Sequence, residues 1–519
     1  MDLSRSTAQD HYTPGRKRPP SWLLLPVLLL VCLSLLPLAY VALKAWQAGW
    51  AEAWHLLWRP YVLRLLQNTL LLMLGTTAAC AIIGLSLAWL LERSDLPGRR
   101  FWGVVLCLPF AVPAFVSSFT WVSLSASFEG LGGAILVMTL SKYPVVFLPV
   151  AATLRNLDPC LEESARTLGQ NRWGVFLKVT LPLVWPSLLA GSLLIALHML
   201  VEFGALSIMG LQTFTTAIYQ QFELEFSNAN AAMLSAVLLM LCLALLGLEL
   251  RARGKGRHVR IGQGVARQAE QVRLGGWSLA GQLYCLLLAL IGSGIPLAML
   301  AYWLASGSSA AFPVAAIGEA LLSSLALSLG GAALCLVLAV PVGLLVVRYK
   351  GRLAIWAERL PYLLHALPGL VIALTLVYFA LHYVPALYQT SALLLIAYAL
   401  LFLPLAQAPI RTALNKAAPQ LEEAARTLGT SSFGAFCRVT LPIIFPALGA
   451  AFALVFLDAM KELTATLLLS PTGMNTLATA VWAHTSNLEF AAAAPYAALL
   501  ILVSGLPVYL LTTRMYLSR

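Results

Sequence analysis

The segment Leu161-Glu162-Glu163-Ser164-Ala165-Arg166-Thr167-Leu168-Gly169 returns 260 positions later as Leu421-Glu422-Glu423-Ala424-Ala425-Arg426-Thr427-Leu428-Gly429. Each copy is followed by the same phrase, Val179-Thr180-Leu181-Pro182 in the first and Val439-Thr440-Leu441-Pro442 in the second. Long apolar stretches flank both copies. The sequence therefore predicts two similar halves, each of which carries one charged segment suited to a partner.

The composition is that of a membrane protein. The chain has 519 residues, of which 60% are hydrophobic and only 10% charged, and its mean hydropathy is +0.85. These values predict an all-α polytopic membrane protein in contact with lipid. The net charge of +12 does not indicate a nucleic-acid partner, because the Lys and Arg residues lie in short loops between apolar runs.

Neither the cysteines nor the N-terminus predicts another class. The eight cysteines include no C-x-x-C pair, and no His stands at metal-ligand spacing, so we expect no firm metal site. The N-terminus carries Arg5 and Arg16-Lys17-Arg18 before an apolar run from Ser21 to about Leu43. This run is too long for a secretory signal and lacks a cleavage site, so it is interpreted as the first membrane span.

Windows of roughly 20 apolar residues, the length that crosses a bilayer, number twelve in the sequence. They lie near 22–44, 63–91, 101–122, 132–154, 183–206, 230–250, 279–304, 319–347, 356–381, 390–410, 443–468 and 491–513. If residues 1–20 form a basic cytoplasmic tail, the basic loops and both Glu-Glu segments are cytoplasmic, and the outer loops near 207–229, 305–318, 382–390 and 469–490 contain no Lys or Arg. This split follows the positive-inside rule and predicts that both termini are cytoplasmic.

The repeat extends beyond the charged segment. Gly75 and Cys80 match Gly330 and Cys335, Pro113 matches Pro368, and Thr216-Ala217-Ile218-Tyr219 resembles Thr479-Ala480-Val481-Trp482. An even number of spans in each unit predicts two parallel six-helix repeats. The expected organisation is a first half at 21–250, a basic cytoplasmic linker at 251–276 and a second half at 277–519. The charged loops fall at about 158–182 and 418–442.

Both charged segments resemble a known family. Glu163-x-Ala165-x-x-x-Gly169 and Glu423-Ala424-Ala425-x-x-x-Gly429, each with its Leu-Pro ending, are similar to the EAA signature of permease subunits of binding-protein-dependent ABC importers. The resemblance covers both halves from about residue 60 onward and implies the type I ABC importer permease fold. The first copy has Ser164 where the family usually has Ala, and Val replaces the usual Ile in both endings.

The resemblance implies what the charged segments do. Each would form a short helix that docks on an ATP-hydrolysing subunit, and its coupling residues would be Glu162, Glu163, Ala165, Arg166 and Gly169, with Glu422, Glu423, Ala425, Arg426 and Gly429 in the second copy. The chain has no G-x-x-x-x-G-K-[ST] phosphate loop, so ATP and Mg²⁺ belong to a partner, expected as a dimer of ATPase subunits. No cofactor is expected on this chain. The implied location is the bacterial inner membrane, and the implied outer partner is a periplasmic binding protein.

The local sequence agrees with such a helix. Pro159 and Pro419 are suited to its first turn, where the Glu pairs favour the positive end of the helix dipole. Gly169 and Gly429 stand where the helix would stop. A solvated loop helix without a partner is the alternative, and the two matching copies argue against it.

Ionisable residues inside predicted spans also follow the repeat. His198 and Glu202 align with Asp458 and Glu462, each pair one helical turn apart on a common face, and Lys461 adds a positive charge. Such residues suggest a transport pathway. The alternative, carboxylates satisfied by neighbouring polar groups, remains equally open. Acids in the pathway would favour a cation.

The cargo is narrowed by a second resemblance. The segments 201–204, 214–219 and 457–469 are similar to the ferric-iron branch of fused permeases, and carboxylates are suitable hard ligands for Fe(III). The outer acids Glu223, Glu225 and Glu489 are candidates for contact with the binding protein or are ordinary solvated charges.

Other cargoes and other classes remain open. Thiamine and polyamines are cargoes of related permeases. Thiamine would want aromatic walls, whereas the Trp and Tyr residues here are expected at span ends as an interfacial belt. A stand-alone secondary transporter is the rival from another class, and the paired EAA segments argue against it. No nucleophile-base constellation stands out in the sequence, so an enzyme is not expected.

Overall fold

The computed structural model describes residues 19–48, 54, 58–223, 228–252, 271–307, 312–349, 351–365, 367–417 and 419–516. Within these ranges the regular structure is helical, apart from a single β-bridge between Ser94 and Val272. Most of the predicted basic tail and linker, residues 1–18 and 253–270, lies outside the described residues.

The described residues of the first half form twelve α-helices. They are α1 Ser21–Ala48, α2 Pro60–Arg93, α3 Arg99–Val105, α4 Ala114–Leu124, α5 Gly130–Lys142, α6 Pro144–Asn156, α7 Pro159–Thr167, α8 Arg172–Val175, α9 Leu181–Val201, α10 Gly204–Ile208, α11 Phe214–Glu223 and α12 Asn228–Ala252. A π-helical turn, Phe176–Thr180, joins α8 to α9. Short 3₁₀ turns occupy Leu108–Ala111 and Ala126–Phe128.

The second half repeats this order. Its helices are α13 Trp277–Ala289, α14 Ile295–Ser306, α15 Val314–Arg348, α16 Arg352–His365, α17 Gly369–Tyr383, α18 Ser391–Lys416, α19 Pro419–Thr427, α20 Ser432–Ala435, α21 Leu441–Met460, α22 Thr464–Leu469, α23 Leu477–Ser486 and α24 Phe490–Tyr516. A π-helical turn Leu290–Gly294 joins α13 to α14, and another at Phe436–Thr440 joins α20 to α21. A 3₁₀ turn lies at Pro385–Leu387.

Each predicted membrane window has a helical counterpart. Among the described residues, nine continuous helical stretches are long and apolar enough to cross a membrane, and two bent helix pairs bring the number to eleven. The window near 491–513 corresponds to α24, whose described apolar part is shorter. The chain is therefore an all-α polytopic membrane protein.

The third and ninth predicted spans are not straight helices. The pair Arg99–Ala111 and Ala114–Leu124 is bent by 88°, and α16 and α17 are bent by 110°. Pro113 and Pro368 stand at these breaks, directly before α4 and α17. Proline disfavours helical geometry in the residue before it and removes a backbone donor. The repeated prolines therefore mark bends, where the sequence predicted continuous spans.

Repeated small residues make equivalent contacts in the two halves. Cys80 Sγ donates to the Thr139 carbonyl at 3.6 Å, and Cys335 Sγ donates to the Tyr398 carbonyl at 3.7 Å. A Cβ on Gly75 would lie 2.9 Å from Ile135, and one on Gly330 would lie 3.2 Å from Leu395. The long helix of each half thus packs closely on the same neighbour, which confirms the sequence repeat at the level of packing.

The first span of each half packs on the other half. Helix α1 contacts α15, α16 and α17 of the second half, while α14 contacts α4 of the first half and also α24 of its own half. Tyr284 and Ser86 share a hydrogen bond of 2.8 Å, and Trp303 Nε1 donates to Ser123 Oγ at 3.0 Å. The two halves therefore exchange their first spans.

Two segments predicted as outer loops are packed helices. In α11 the residues Phe214 to Ile218 are buried, and in α23 the residues Leu477 to Val481 are buried. Thr213 and Thr476 precede these helices, and their backbone N–H groups donate to Thr216 Oγ1 and Thr479 Oγ1, both at 2.8 Å. Because these hydroxyls satisfy the backbone at the helix starts, the segments can be buried.

Candidate functional site: the repeated charged helices and the central acids

The first charged segment forms the helix α7, as predicted. Asp158 precedes it and accepts a hydrogen bond from the Cys160 N–H at 3.0 Å. At its end Gly169 has φ +81°, with its N–H donating to Arg166 O at 2.9 Å and the Gln170 N–H donating to Ala165 O at 3.1 Å. This pair of bonds is a Schellman ending, which requires a left-handed residue.

The second segment, α19, ends in the same way. Gly429 has φ +91°, its N–H donates to Arg426 O at 3.0 Å, and the Thr430 N–H donates to Ala425 O at 3.2 Å. The prediction that Gly169 and Gly429 end two equivalent short helices is confirmed.

The first glutamate of each pair lies inside the chain's own fold. Glu162 is 9% exposed, its Oε1 accepts a hydrogen bond from Thr180 Oγ1 at 2.8 Å, and Arg93 Nη2 lies 3.3 Å from the same oxygen. Arg93 is the last residue of α2, and Thr180 belongs to the π-helical turn. Glu162 therefore fastens α7 to two other elements.

Glu422 makes the same contacts in the second half. Thr440 Oγ1 donates to its Oε1, and Arg348 Nη2 lies 3.2 Å from that oxygen while also donating to Ala417 O at 2.8 Å. Arg348 ends α15 as Arg93 ends α2. Arg93, Arg348, Thr180 and Thr440 had no predicted role. Their repetition was the signal that could have found them, because the arginines end the long helix of each half and the threonines stand in the repeated Val-Thr-Leu-Pro phrase.

The remaining predicted coupling residues are more accessible. Glu163 is half-buried and Glu423 exposed, Ala165 is buried and Ala425 half-buried, and Arg166 and Arg426 are exposed. Next to them, Leu168 is 82% exposed and Leu428 is 85% exposed. Trp173 and Phe433 add exposed rings after each helix. An apolar surface beside charged residues is typical of a protein interaction site.

The central acids lie at helix breaks. Helix α9 ends at Val201, and Glu202 Oε1 accepts from the Ala205 N–H of α10 at 3.2 Å. Helix α21 ends at Met460, and Glu462 Oε1 accepts from the Ala465 N–H of α22 at 2.8 Å. The predicted spans 183–206 and 443–468 thus break at these acids, although the Glu202 N–H still donates to the His198 carbonyl at 3.0 Å, one helical turn back. The chain leaves the helix so that the carboxylate can cap the next one.

The other predicted pathway residues surround these breaks. His198 is half-buried, and its Nδ1 has no hydrogen bond among the described residues. Asp458 is half-buried and its carbonyl accepts from the Lys461 N–H at 3.2 Å. Lys461 Nζ donates to the Phe110 carbonyl at 2.9 Å, which ties the second half to the bend in the first.

An aromatic cluster lies where the halves meet, between the two breaks. The Tyr219 ring centroid is 5.8 Å from that of Trp482 and 4.8 Å from that of Phe203. These rings pack on one another where the halves meet, a contact that the expected interfacial belt did not include. Tyr219 and Trp482 occupy matching places in the repeat and belong to the packed helices α11 and α23, which hydropathy alone assigned to loops.

The outer acids differ from one another. Glu489 Oε2 lies 2.7 Å from His484 Nδ1, and Glu223 is exposed. Glu225 lies outside the described residues. Among the described residues, no group of three His, Cys, Asp or Glu side chains is arranged to hold a metal ion.

The sequence matches the family described as "Binding-protein-dependent transport system inner membrane component" over residues 80–251 and 336–516, once in each half. The chain belongs to this family. It is 45% identical to the Fe(3+)-transport system permease protein FbpB 2 of Haemophilus influenzae, over 95% of this chain and 98% of that protein. It is 32% identical to the sulfate transport system permease protein CysT of Escherichia coli, over 43% of this chain and 90% of that protein. The molybdenum transport system permease protein ModB of Escherichia coli is 30% identical over 31% of this chain and 80% of its own length.

As a member of this family, the chain is a multi-pass inner-membrane permease with two fused copies of the transport domain. Binding-protein-dependent transport implies two kinds of partner for it, a periplasmic binding protein and an ATPase.

Proposed function

We propose that this permease imports Fe(III) delivered by a periplasmic binding protein, and that α7 and α19 couple it to a dimer of ATPase subunits. The observation that carries the coupling is the duplicated fastening of Glu162 to Arg93 and of Glu422 to Arg348, at 3.3 Å and 3.2 Å. A short helix tied to the end of a long one can pass a rigid displacement to it. Having two such helices in one chain favours two ATPase subunits.

The proposal places α7, α19 and both termini on the cytoplasmic side. Its support is the distribution of charge. Arg93 ends α2 and Arg99 and Arg100 begin α3, and in the second half Arg348 ends α15 and Arg352 begins α16. The positive-inside rule assigns such ends to the cytoplasm. The described outer segments between α10 and α11, and between α22 and α23, contain no Lys or Arg.

The iron assignment rests on the extent of the likeness to the Fe(3+)-transport permease, which runs through both halves at 45% identity. The proposed pathway runs between the two helix breaks, past Glu202 and Glu462. Each carboxylate spends one oxygen on a backbone N–H, which leaves acceptor capacity for a hard cation. Weak, transient contact suits a permease, because a tight site would stop release.

An oxyanion is the second candidate cargo. The sulfate permease matches at 32% identity, and Lys461 brings a positive charge beside Glu462. Thiamine and polyamines also stay open, because the half-buried rings of Tyr219 and Trp482 pack together beside the buried Phe203, a cluster that the sequence did not predict.

The test is uptake of labelled Fe(III), sulfate, thiamine and putrescine by cells that lack their own ferric importers and express this chain with its binding protein and ATPase. Glu202→Gln with Glu462→Gln removes both charges but keeps an amide oxygen to accept the capping bond. Glu319→Gln, an exposed acid in α15, is the matched control.

We expect ATP-dependent Fe(III) uptake that falls at least tenfold in the double variant and is unchanged in the control. Uptake of another solute without iron would overturn the cargo. Unchanged iron uptake in the double variant would remove Glu202 and Glu462 from the pathway.

A further inference from the structure

A cavity of about 790 Å³ lies at the end of α2, outside the central region. Its walls come from α2, α7, the π-helical turn after α8, residues 272–274 and the start of α13. One end, farther back along α2 from Arg93, is apolar and includes Ile82 and Leu85. The other end is lined by four arginines, Arg93, Arg166, Arg172 and Arg273.

The basic end has an excess of positive charge. Its four guanidinium groups face a single lining carboxylate, that of Glu162, which is already paired with Arg93. The Arg93 residue is only 4% exposed, and its Nε makes no hydrogen bond among the described residues, while its Nη2 is the atom that lies 3.3 Å from Glu162 Oε1. A buried guanidinium with unused donors is costly unless an anion or acceptor meets it. The cavity therefore favours a ligand with several acceptor oxygens.

The basic end is a built structure. The Val272 N–H donates to the Arg93 carbonyl at 2.8 Å, and the Asp95 N–H donates to the Val272 carbonyl at 3.2 Å. The Leu274 N–H donates to Asp95 Oδ1 at 2.8 Å. These bonds hold the segment that carries Arg273 against the end of α2, so the arginines are brought together by the fold.

The corresponding place in the second half is arranged differently. There Trp22, at the start of α1, packs its ring 5.6 Å from Phe433 and 6.1 Å from Phe436. Its counterpart Trp277 is 77% exposed at the edge of the cavity. Ser432 stands where the first half has Arg172. Within the part of the chain that the structure describes, the open basic cavity is thus seen in the first half.

We propose that this cavity binds an anionic phospholipid of the cytoplasmic leaflet, with the phosphate against the four arginines and an acyl chain along the apolar end. This rests on the orientation given under the proposed function. Ile82 is 69% exposed on the bilayer side of the cavity, so a chain can enter from the membrane. Basic pockets between spans on the cytoplasmic side suit anionic headgroups. The bound phosphate then bridges α2, α7 and the end of the linker.

The test is native mass spectrometry of the purified full chain with phosphatidylglycerol or phosphatidylcholine in the detergent. Arg172→Gln with Arg273→Gln removes two exposed lining charges, and Arg352→Gln with Arg359→Gln removes two exposed charges elsewhere. We expect one retained phosphatidylglycerol in the wild type and the control, at least tenfold less in the lining variant, and little phosphatidylcholine. Equal retention by the lining variant and the control would overturn the proposal.

Two further arms separate a lipid from a free anion. Ala280→Phe, at a lining residue of α13, fills part of the cavity and is expected to lower retention of phosphatidylglycerol while the arginines remain. Unchanged retention in that variant would contradict the acyl-chain position. Inorganic phosphate at millimolar concentration is expected not to displace the lipid, and full displacement would make the occupant a soluble phosphate. The mass spectrometry experiment contains no cargo, binding protein or ATPase, so its failure and a failure of iron uptake are separate outcomes.

Discussion

Arg93 Nη2 lies 3.3 Å from Glu162 Oε1, with 5% and 11% of the two side chains exposed, and so joins the end of a membrane-spanning helix to the short charged helix α7. Arg348 and Glu422 repeat the relationship at 3.2 Å, with 12% and 26% of the side chains exposed. Glu162 and Glu422, the first glutamate of each pair, therefore hold the short charged helices to the rest of the chain. Contact with a partner falls to their more accessible neighbours.

Removing Arg93 should destabilise the protein. In Arg93→Met the buried Glu162 keeps its charge without its partner, and such a loss costs about 3 kcal/mol. Arg93→Met combined with Glu162→Gln should recover part of that cost, because no charge is left buried and unpaired. The measurement is the thermal midpoint in detergent.

Arg411→Met is the control for that experiment, since Arg411 pairs with Glu358 at a more exposed place, with 48% and 31% of the side chains exposed. Its loss should cost less than about 1 kcal/mol. Equal midpoints for Arg93→Met and Arg411→Met would contradict the fastening.

The glycines at the ends of α7 and α19 should resist substitution for conformational reasons alone. A Cβ on Gly169 or Gly429 meets nothing within 4 Å, but their φ values of +81° and +91° disfavour side chains. Each change to Ala should cost about 1–2 kcal/mol. Gly449→Ala, in α21 with open space around it, should be neutral or stabilising. Equal thermal midpoints for the three variants would show that the left-handed ending does not contribute to stability.

The exposed leucines should contribute to assembly. Leu168→Asp with Leu428→Asp places charges on the 82% and 85% exposed apolar positions and is expected to lower co-purification of the ATPase at least tenfold without changing the thermal midpoint of the permease. Leu488→Asp, at a 71% exposed leucine in the predicted outer loop at 469–490, is the control. ATPase retention as high in the double leucine variant as in the control would exclude an apolar contact here.

The bond from Lys461 to the Phe110 carbonyl should support the joint between the halves. Lys461→Met removes a charged hydrogen bond of 2.9 Å, which is worth about 1.5–3 kcal/mol, and should lower the thermal midpoint. Lys142→Met is matched, because Lys142 is also half-buried in a span and has no hydrogen bond described for it. A larger loss of stability in Lys142→Met would argue against the tie.

The sequence predicted the fold well because hydropathy and the internal repeat can both be read directly from the amino-acid sequence. All twelve windows have helical counterparts, and Gly169 and Gly429 end α7 and α19 as expected. The bends before Ala114 and Gly369 were missed, although Pro113 and Pro368 were seen to repeat, because apolar composition does not report direction. Glu202 and Glu462 were placed inside predicted spans because apolar residues stand on both sides of each acid. Hydropathy therefore does not show where the helix breaks.

The contacts of the candidate site could not be read from the sequence. Arg93 and Glu162 meet only because α2 and α7 end at the same place, and Tyr219 meets Trp482 only because α11 and α23 pack between the halves. Such distant pairings depend on tertiary packing. The exchange of α1 and α13–α14 between the halves is likewise invisible in a linear repeat.

In the proposed assembly one chain holds two equivalent docking helices, α7 and α19. Photo-crosslinking measures whether each of them contacts an ATPase subunit. A photoreactive amino acid at position 163, at position 423, or at both is introduced in the complex with the ATPase and activated by light, which avoids the exposed native Cys160 of α7. We expect each single variant to crosslink one ATPase subunit. We expect the double variant to yield one permease joined to two ATPase subunits. Crosslinking from one position only, or a double variant that never joins more than one ATPase subunit, would contradict the proposed assembly.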